Sequence, residues 1–273
     1  MTKVSIAIRV YNRLADLECI VDVIKNTWKG NEYDIYIISN GENNGYKVSK
    51  KVEMSVYKIV RLCKNTGHQS GSSQLLLAFW DNLNFKKYDY SIIIEADTWM
   101  FGDKIICKYI KKMNETPSAV YAAAKWYDKY YSLATDFAII RTSFLKDNRD
   151  LFRFNDKAEC HMANYVKDSG KKFIYIRENM LPHPPTYIKS YPYTQKGRIV
   201  CFPLSKMVTH HIEMLNGGLD EKKRLFNVVS NSEFFKNINK PKRFEKLRIV
   251  FFFCLSKFFI RRTWFSPTVR MDE

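Results

Sequence analysis

Residues 4–10 (VSIAIRV) alternate, with Val4, Ile6, Ile8 and Val10 on one side and Ser5, Ala7 and Arg9 on the other, a pattern that predicts a first β-strand. Tyr11, Asn12 and Arg13 turn the chain out of it. Across 14–28 the apolar residues Leu17, Ile20, Val21 and Ile24 recur at three- and four-residue spacings, which predicts a helix with one face on a core. Residues 34–39 (DIYIIS) predict a second strand, closed by Asn40-Gly41, and 56–62 a third. The polar loop 65–73 (NTGHQSGSS) then opens a helix over 74–83. Residues 90–94 (YSIII) predict a buried fourth strand that ends at Glu95-Ala96-Asp97.

Alternation of strand and helix through residue 115 predicts an α/β fold, a mostly parallel sheet flanked by helices. Ligands of such sheets bind beyond the carboxyl ends of the strands. Polar side chains gather there: Tyr11 and Asn12 after the first strand, Ser39 and Asn40 after the second, Asn65 after the third, Glu95 and Asp97 after the fourth. Further on, 119–127 and 136–141 predict two more strands, 159–169 a helix, and 172–176 a strand that leads to Pro182-His183-Pro184-Pro185. Residues 187–198 read as a Tyr-rich polar loop. The pattern divides the chain into a domain over 1–200 and a C-terminal extension over 201–273.

Composition narrows the class. With 46% hydrophobic and 27% charged residues, the 273-residue chain is globular rather than disordered, and it carries no internal repeat. The six cysteines stand singly, without zinc or CxxC spacing, and read as reduced, packed thiols of a cytosolic protein. The apolar run at 4–10 is too short for a signal peptide. A net charge of +17 can serve nucleic acid, anionic lipid, a phosphorylated substrate or solubility alone.

The sharpest candidate chemistry is Glu95-Ala96-Asp97. Two carboxylates one residue apart at a strand end can hold a divalent cation on a diphosphate; strand-end acids also cap helices or stand in water. Here the chain resembles the family 2 glycosyltransferases of the GT-A fold. Their Pro-x-Tyr-Asn opening corresponds to Arg9-Val10-Tyr11-Asn12, and their Asp-Asp-Gly-Ser to Ser39-Asn40-Gly41-Glu42. Their Asn-x-Gly matches Asn65-Thr66-Gly67, and their Asp-x-Asp metal motif corresponds to Glu95-Ala96-Asp97. Arg141, Glu159, Gly170 and His183 follow at the separations usual in that family. The resemblance covers about residues 3–200.

The resemblance implies an inverting, metal-dependent sugar transfer from a nucleotide-sugar donor to a glycan or lipid-linked acceptor in cell-surface polysaccharide or lipopolysaccharide synthesis. Asp97 would hold Mn2+ or Mg2+, with His183 as a further ligand, and Glu95 would meet ribose or metal-bound water. Tyr11 and Asn12 would line the base, beside the donor-side positions Ser39, Asn40 and Asn65. Glu159 would be the catalytic base, with Asp156 in reserve. Gln195-Lys-Gly-Arg198 resembles a Gln-x-x-Arg-Trp segment, so that Arg198 or Lys196 would clamp phosphate, although Ile199 replaces the Trp. The chain departs from the family in Arg9 for proline and in Ser39-Asn40 for the acids that often read uracil.

The C-terminal segment is basic and aromatic. Between 236 and 270 Glu245 is the only acid against ten bases, and residues 247–260 are mostly apolar but interrupted by Arg248 and Lys257. The run is too short to span a bilayer and fits a basic amphipathic helix at an anionic membrane surface. Packing on the domain or on a second copy is the alternative; nucleic acid is not expected, since no binding module accompanies the segment. The residues therefore predict a cytoplasmic enzyme peripheral to the inner face of a membrane. The alternative is a non-catalytic relative that binds membrane or a partner through this segment.

Overall fold

The computed structural model describes residues 1–127, 130–176, 179–180, 198–201, 208–210 and 218–256. Seven strands form the main sheet: β1 (Lys3–Val10), β2 (Glu32–Ser39), β3 (Lys58–Arg61), β4 (Tyr90–Glu95), β5 (Ala119–Ala123), β6 (Phe137–Arg141) and β7 (Lys172–Tyr175). Their order is β3-β2-β1-β4-β6-β5-β7. β1 pairs in parallel with β2 and β4, β2 with β3, and β5 with β7; β6 runs antiparallel between β4 and β5. The expected α/β architecture, mostly parallel and helix-flanked, is therefore present. Asn179–Met180, Arg198–Cys201 and Val208–His210 form a small antiparallel sheet (β8, β9, β10).

Helices cover both faces: α1 (Leu14–Thr27), α2 (Lys50–Glu53), α3 (His68–Asn82), α4 (Lys104–Glu115), α5 (Thr142–Asp147), α6 (Ala158–Asp168), α7 (Gly218–Ser230) and α8 (Arg243–Ser256). Val4, Ile6, Ile8 and Val10 of β1 enter a core shared with α1, α4 and α7, whereas Ala7 enters a second core with α3, α5 and α6. Ser5 and Arg9 lie on the second side and are buried too, so the polar half of the alternation does not face water. Ser5 Oγ donates to Ser91 Oγ at 2.9 Å, the pairing that a buried hydroxyl requires. Leu17, Ile20, Val21 and Ile24 of α1 are all buried, as their spacing predicts.

The structure departs from the sequence pattern in three places. α3 begins at His68 rather than at 74, because the residues read as loop punctuation have tertiary partners. Ser73 Oγ donates to the Phe152 carbonyl at 2.6 Å, and Gly71 packs against Asn65. β5 stops at Ala123, short of the expected 127, since the chain turns there and the Tyr127 amide donates to Ser132 Oγ at 2.7 Å. Cys63 is exposed rather than packed: it follows β3, at the sheet's edge.

Candidate active site

The strand order reverses direction at β1, which has β2 on one side and β4 on the other. A cleft of about 530 Å³ opens there, beyond the carboxyl ends of these strands, the position that open α/β sheets use for ligands. Tyr11, Asn12, Asn40, Asn65, Glu95, Asp97 and Glu159, from five separate stretches of chain, all line it. Of the other expected site residues, Ser39 is wholly buried behind the cleft, and Asp156 is exposed, with Oδ1 accepting from the Lys157 amide at 2.8 Å. His183 lies outside the described residues; Arg198 is in β9, and its side chain is not among those described.

The loops that form the rim are set by two close approaches. A Cβ on Gly41 would stand 2.1 Å from the Tyr11 carbonyl oxygen, and one on Gly71 would stand 2.6 Å from Asn65 Oδ1. That Asn65 oxygen accepts from the Gly67 amide at 2.8 Å, an Asx turn that ends in Gly67 at φ +102°, and α3 starts at the next residue. His68, Gln69, Gly71 and Ser72 therefore present the first turn of a fifteen-residue helix to the cleft. Free amides and the helix dipole make such an end favourable for anions.

Charge is arranged in two groups. On the floor, Arg9 Nη2 holds Glu95 Oε1 at 3.0 Å and also donates to the Thr135 carbonyl, while Nη1 donates to Ser72 Oγ. Asp136, at the entry of the antiparallel β6, arrives beside the exit of β4, where its carbonyl accepts from the Glu95 amide at 3.1 Å. Glu159 is the second residue of α6 and is buried. That burial, with Glu95 and Asp136 nearby, lifts its carboxyl from an ordinary 4.5 to about 7; a backbone hydrogen bond and Arg9 pull the other way. At the mouth, Arg13 Nε lies 3.3 Å from Asp97 Oδ2.

These contacts bear on the expected cation. Among the described residues no three His, Cys, Asp or Glu side chains converge as a ready-made ligand set. The lining nevertheless carries four carboxylates against two guanidiniums, an excess of negative charge that suits a divalent ion. Glu95 is engaged by a buried guanidinium, whereas Arg13, the partner of Asp97, is a quarter exposed. Asp97 thus fits a Mg2+-type mode, in which one or two carboxylates bind and phosphate oxygens and water complete the shell. Two polar atoms on cleft residues, Arg9 Nε and Asn40 Oδ1, are buried without a hydrogen-bond partner among the described residues.

Sequence reasoning passed over Arg13, Asp136 and the start of α3. Arg9 stood out only as a departure from the family proline. Its signal was a charged residue near the carboxyl end of a mostly apolar strand, which burial on both faces turns into a site residue.

No family model and no curated protein matches the chain. Among solved structures it is similar to TarS of S. aureus, at 12% identity and a TM-score of 0.45, over 60% of this chain and 33% of that one. It is also similar to a CMP:2-keto-3-deoxy-manno-octonic acid synthetase complexed with CTP, at 9% identity and a TM-score of 0.41, over 64% of this chain and 89% of that one. The chain thus spans about a third of the length of TarS. Both likenesses concern the arrangement of strands and helices and carry no argument about chemistry.

Proposed function

We propose that the cleft binds a nucleotide-sugar donor and transfers the sugar, with inversion, to an acceptor hydroxyl, with Glu159 as the base. The observation that supports this best is that Glu159 is buried in the same cleft as Asp97, with its carboxyl lifted to about 7. A base balanced near working pH both accepts and releases a proton readily. The acceptor oxygen attacks the anomeric carbon as the bond from that carbon to the diphosphate breaks. The hydroxyl proton passes to Glu159, and the electron pair leaves with the diphosphate. The start of α3 and Arg13 supply positive potential for the diphosphate. Asn40 lines the part of the cleft proposed for the nucleoside, beside Tyr11 and Asn12.

In this reading Asp97 holds Mn2+ or Mg2+, which when bound neutralises charge on the leaving diphosphate. His183 and Arg198 are proposed to close the site from the C-terminal side, as a metal ligand and a phosphate clamp. The acceptor is proposed to be a glycan or a lipid-linked precursor of a cell-surface polysaccharide. The chain would work in the cytoplasm, at the inner face of a membrane. α8 supports the membrane contact: Phe244, Leu247 and Phe251 are exposed at three- and four-residue spacing, with exposed Arg243 and Arg248 alongside. Among the described residues no helix is long and apolar enough to cross a membrane.

The test is a thermal-shift panel of nucleotide sugars with and without Mn2+, followed by transfer assays on the donor that binds. Asp97→Ala and Glu159→Ala are each expected to lower turnover by about 100-fold or more. Full turnover in both variants would remove the assignment.

A further inference from the structure

Lys222 lies on α7, 125 residues along the chain from Asp97, yet its side chain is wholly buried behind the turn that carries that residue. Its ammonium donates to Asp16 Oδ1 at 2.6 Å and to the backbone carbonyl of Asp97. It also sits 4.1 Å from the centre of the Trp99 ring. Trp99 in turn packs edge-on against Phe226 of the same helix, at 5.8 Å. A buried ammonium is costly unless it is paired and hydrogen-bonded, and apolar packing alone would be served as well by methionine. Both hydrogen bonds of Lys222 go to one place, the junction of α1 with the turn after β4.

Other ties hold that turn from the cleft side and from within: Arg9 and Arg13 pair with the Glu95 and Asp97 carboxylates, the Glu95 amide donates to the Asp136 carbonyl at 3.1 Å, and Trp99 Nε1 donates to the Ala96 carbonyl at 3.3 Å. The Thr98 amide donates to the Glu95 carbonyl at 3.0 Å, and the Ala96 amide to the Arg9 carbonyl at 3.2 Å. The Asp97 carbonyl, pointing away from the cleft into the core, is held by Lys222. Fixing that carbonyl fixes the peptide plane, and with it the direction in which the Asp97 side chain leaves the backbone. Burial pushes the Lys222 ammonium toward deprotonation and the Asp16 carboxyl upward, while each charge offsets the other. Asp97 and Arg13 also face this pair.

We propose that Lys222 is a positioning residue of the cleft: it braces the 95–98 turn from behind and makes α7 a working part of the site. Only the binding arm of its test rests on the function proposed above. The full chain is compared with the double variant Asp16→Asn/Lys222→Met, which removes both charges together and leaves neither buried unpaired. Hydrogen exchange followed by mass spectrometry should show about tenfold faster exchange in peptides covering 95–98, the loss expected for one hydrogen bond from a charged donor. Peptides covering 218–230 should keep their protection. Calorimetry with inorganic pyrophosphate and Mn2+ should show a Kd raised about tenfold or more. Unchanged exchange at 95–98 would overturn the proposal. So would loss of protection in 218–230 together with the turn, since Lys222 would then anchor the helix and not the turn. Faster exchange at the turn in a protein that transfers no sugar would leave the brace standing and remove the functional reading instead.

Discussion

Glu159 changes its acidity because of where it is placed, and the sign of the pH dependence follows from that. Its carboxyl titrates near 7 folded against 4.5 ordinarily, so between those values the unfolded chain releases a proton that the folded chain retains. Stability therefore falls as pH rises from about 4.5 to about 7 and is level in this respect above, a cost on the order of 3 kcal/mol. Glu159→Gln should abolish that slope in denaturation curves measured from pH 5 to 8. The proposed base needs its proton off, so transfer by the wild type should rise through pH 7 and then plateau. Glu95 is one of the charges that raise Glu159; Glu95→Gln should move the midpoint of the pH–rate profile downward. A midpoint that stays put would separate Glu95 from the base. Family spacing alone singled out Glu159 in the sequence; its acidic neighbours, Glu95 and Asp136, come from two other segments.

At the scale of elements, the cleft rim depends on backbone contacts that only glycine permits. Gly41→Ala would press a methyl onto the carbonyl of Tyr11, and Gly71→Ala onto a side-chain oxygen of Asn65. Backbone yields less than a side chain, so urea denaturation should show Gly41→Ala as the more destabilising, by roughly 1–3 kcal/mol beyond any loss at Gly71. Equal stability of the two variants would mean that the rim loops move apart freely. The periodicity of α1 was legible because each of its apolar positions meets one core. The start of α3 was not, since serines and a glycine read as loop until Phe152 and Asn65 are placed beside them. β6 was legible as a strand, but its antiparallel direction, which delivers Asp136 to the cleft, was not.

For the whole molecule, the proposed membrane contact would use the +17 charge and the exposed face of α8 together. Each buried Phe is worth about 1.5–3 kcal/mol, so Phe244→Ser/Phe251→Ser should lower partitioning onto vesicles of phosphatidylcholine with phosphatidylglycerol by well over tenfold in sedimentation. Raising salt should weaken wild-type binding to these vesicles, as screening requires, and pure phosphatidylcholine should bind less. Undiminished binding by the double variant would dismiss α8 as the contact. The helix joins the rest of the protein through Val250, which packs against the core, and through Arg224 of α7, which bridges Glu221 and Glu245 at 2.6 and 2.9 Å. The same α7 carries Lys222, so the basic segment and the cleft share one element.

Read along the chain, side-chain periodicity determines which stretches become strand or helix and which strand ends carry polar groups, because those properties repeat locally. It places Tyr11, Asn12, Asn40, Asn65, Glu95 and Asp97 at the ends of four strands without any knowledge of their neighbours. What the tertiary structure alone decided is charge and burial. It pairs Arg9 with Glu95 and Arg13 with Asp97, encloses Glu159, brings Asp136 in on an antiparallel strand and sets Lys222 behind the Asp97 turn. Coulomb and desolvation energies depend on distance through space and on the exclusion of water, and separation along the chain specifies neither.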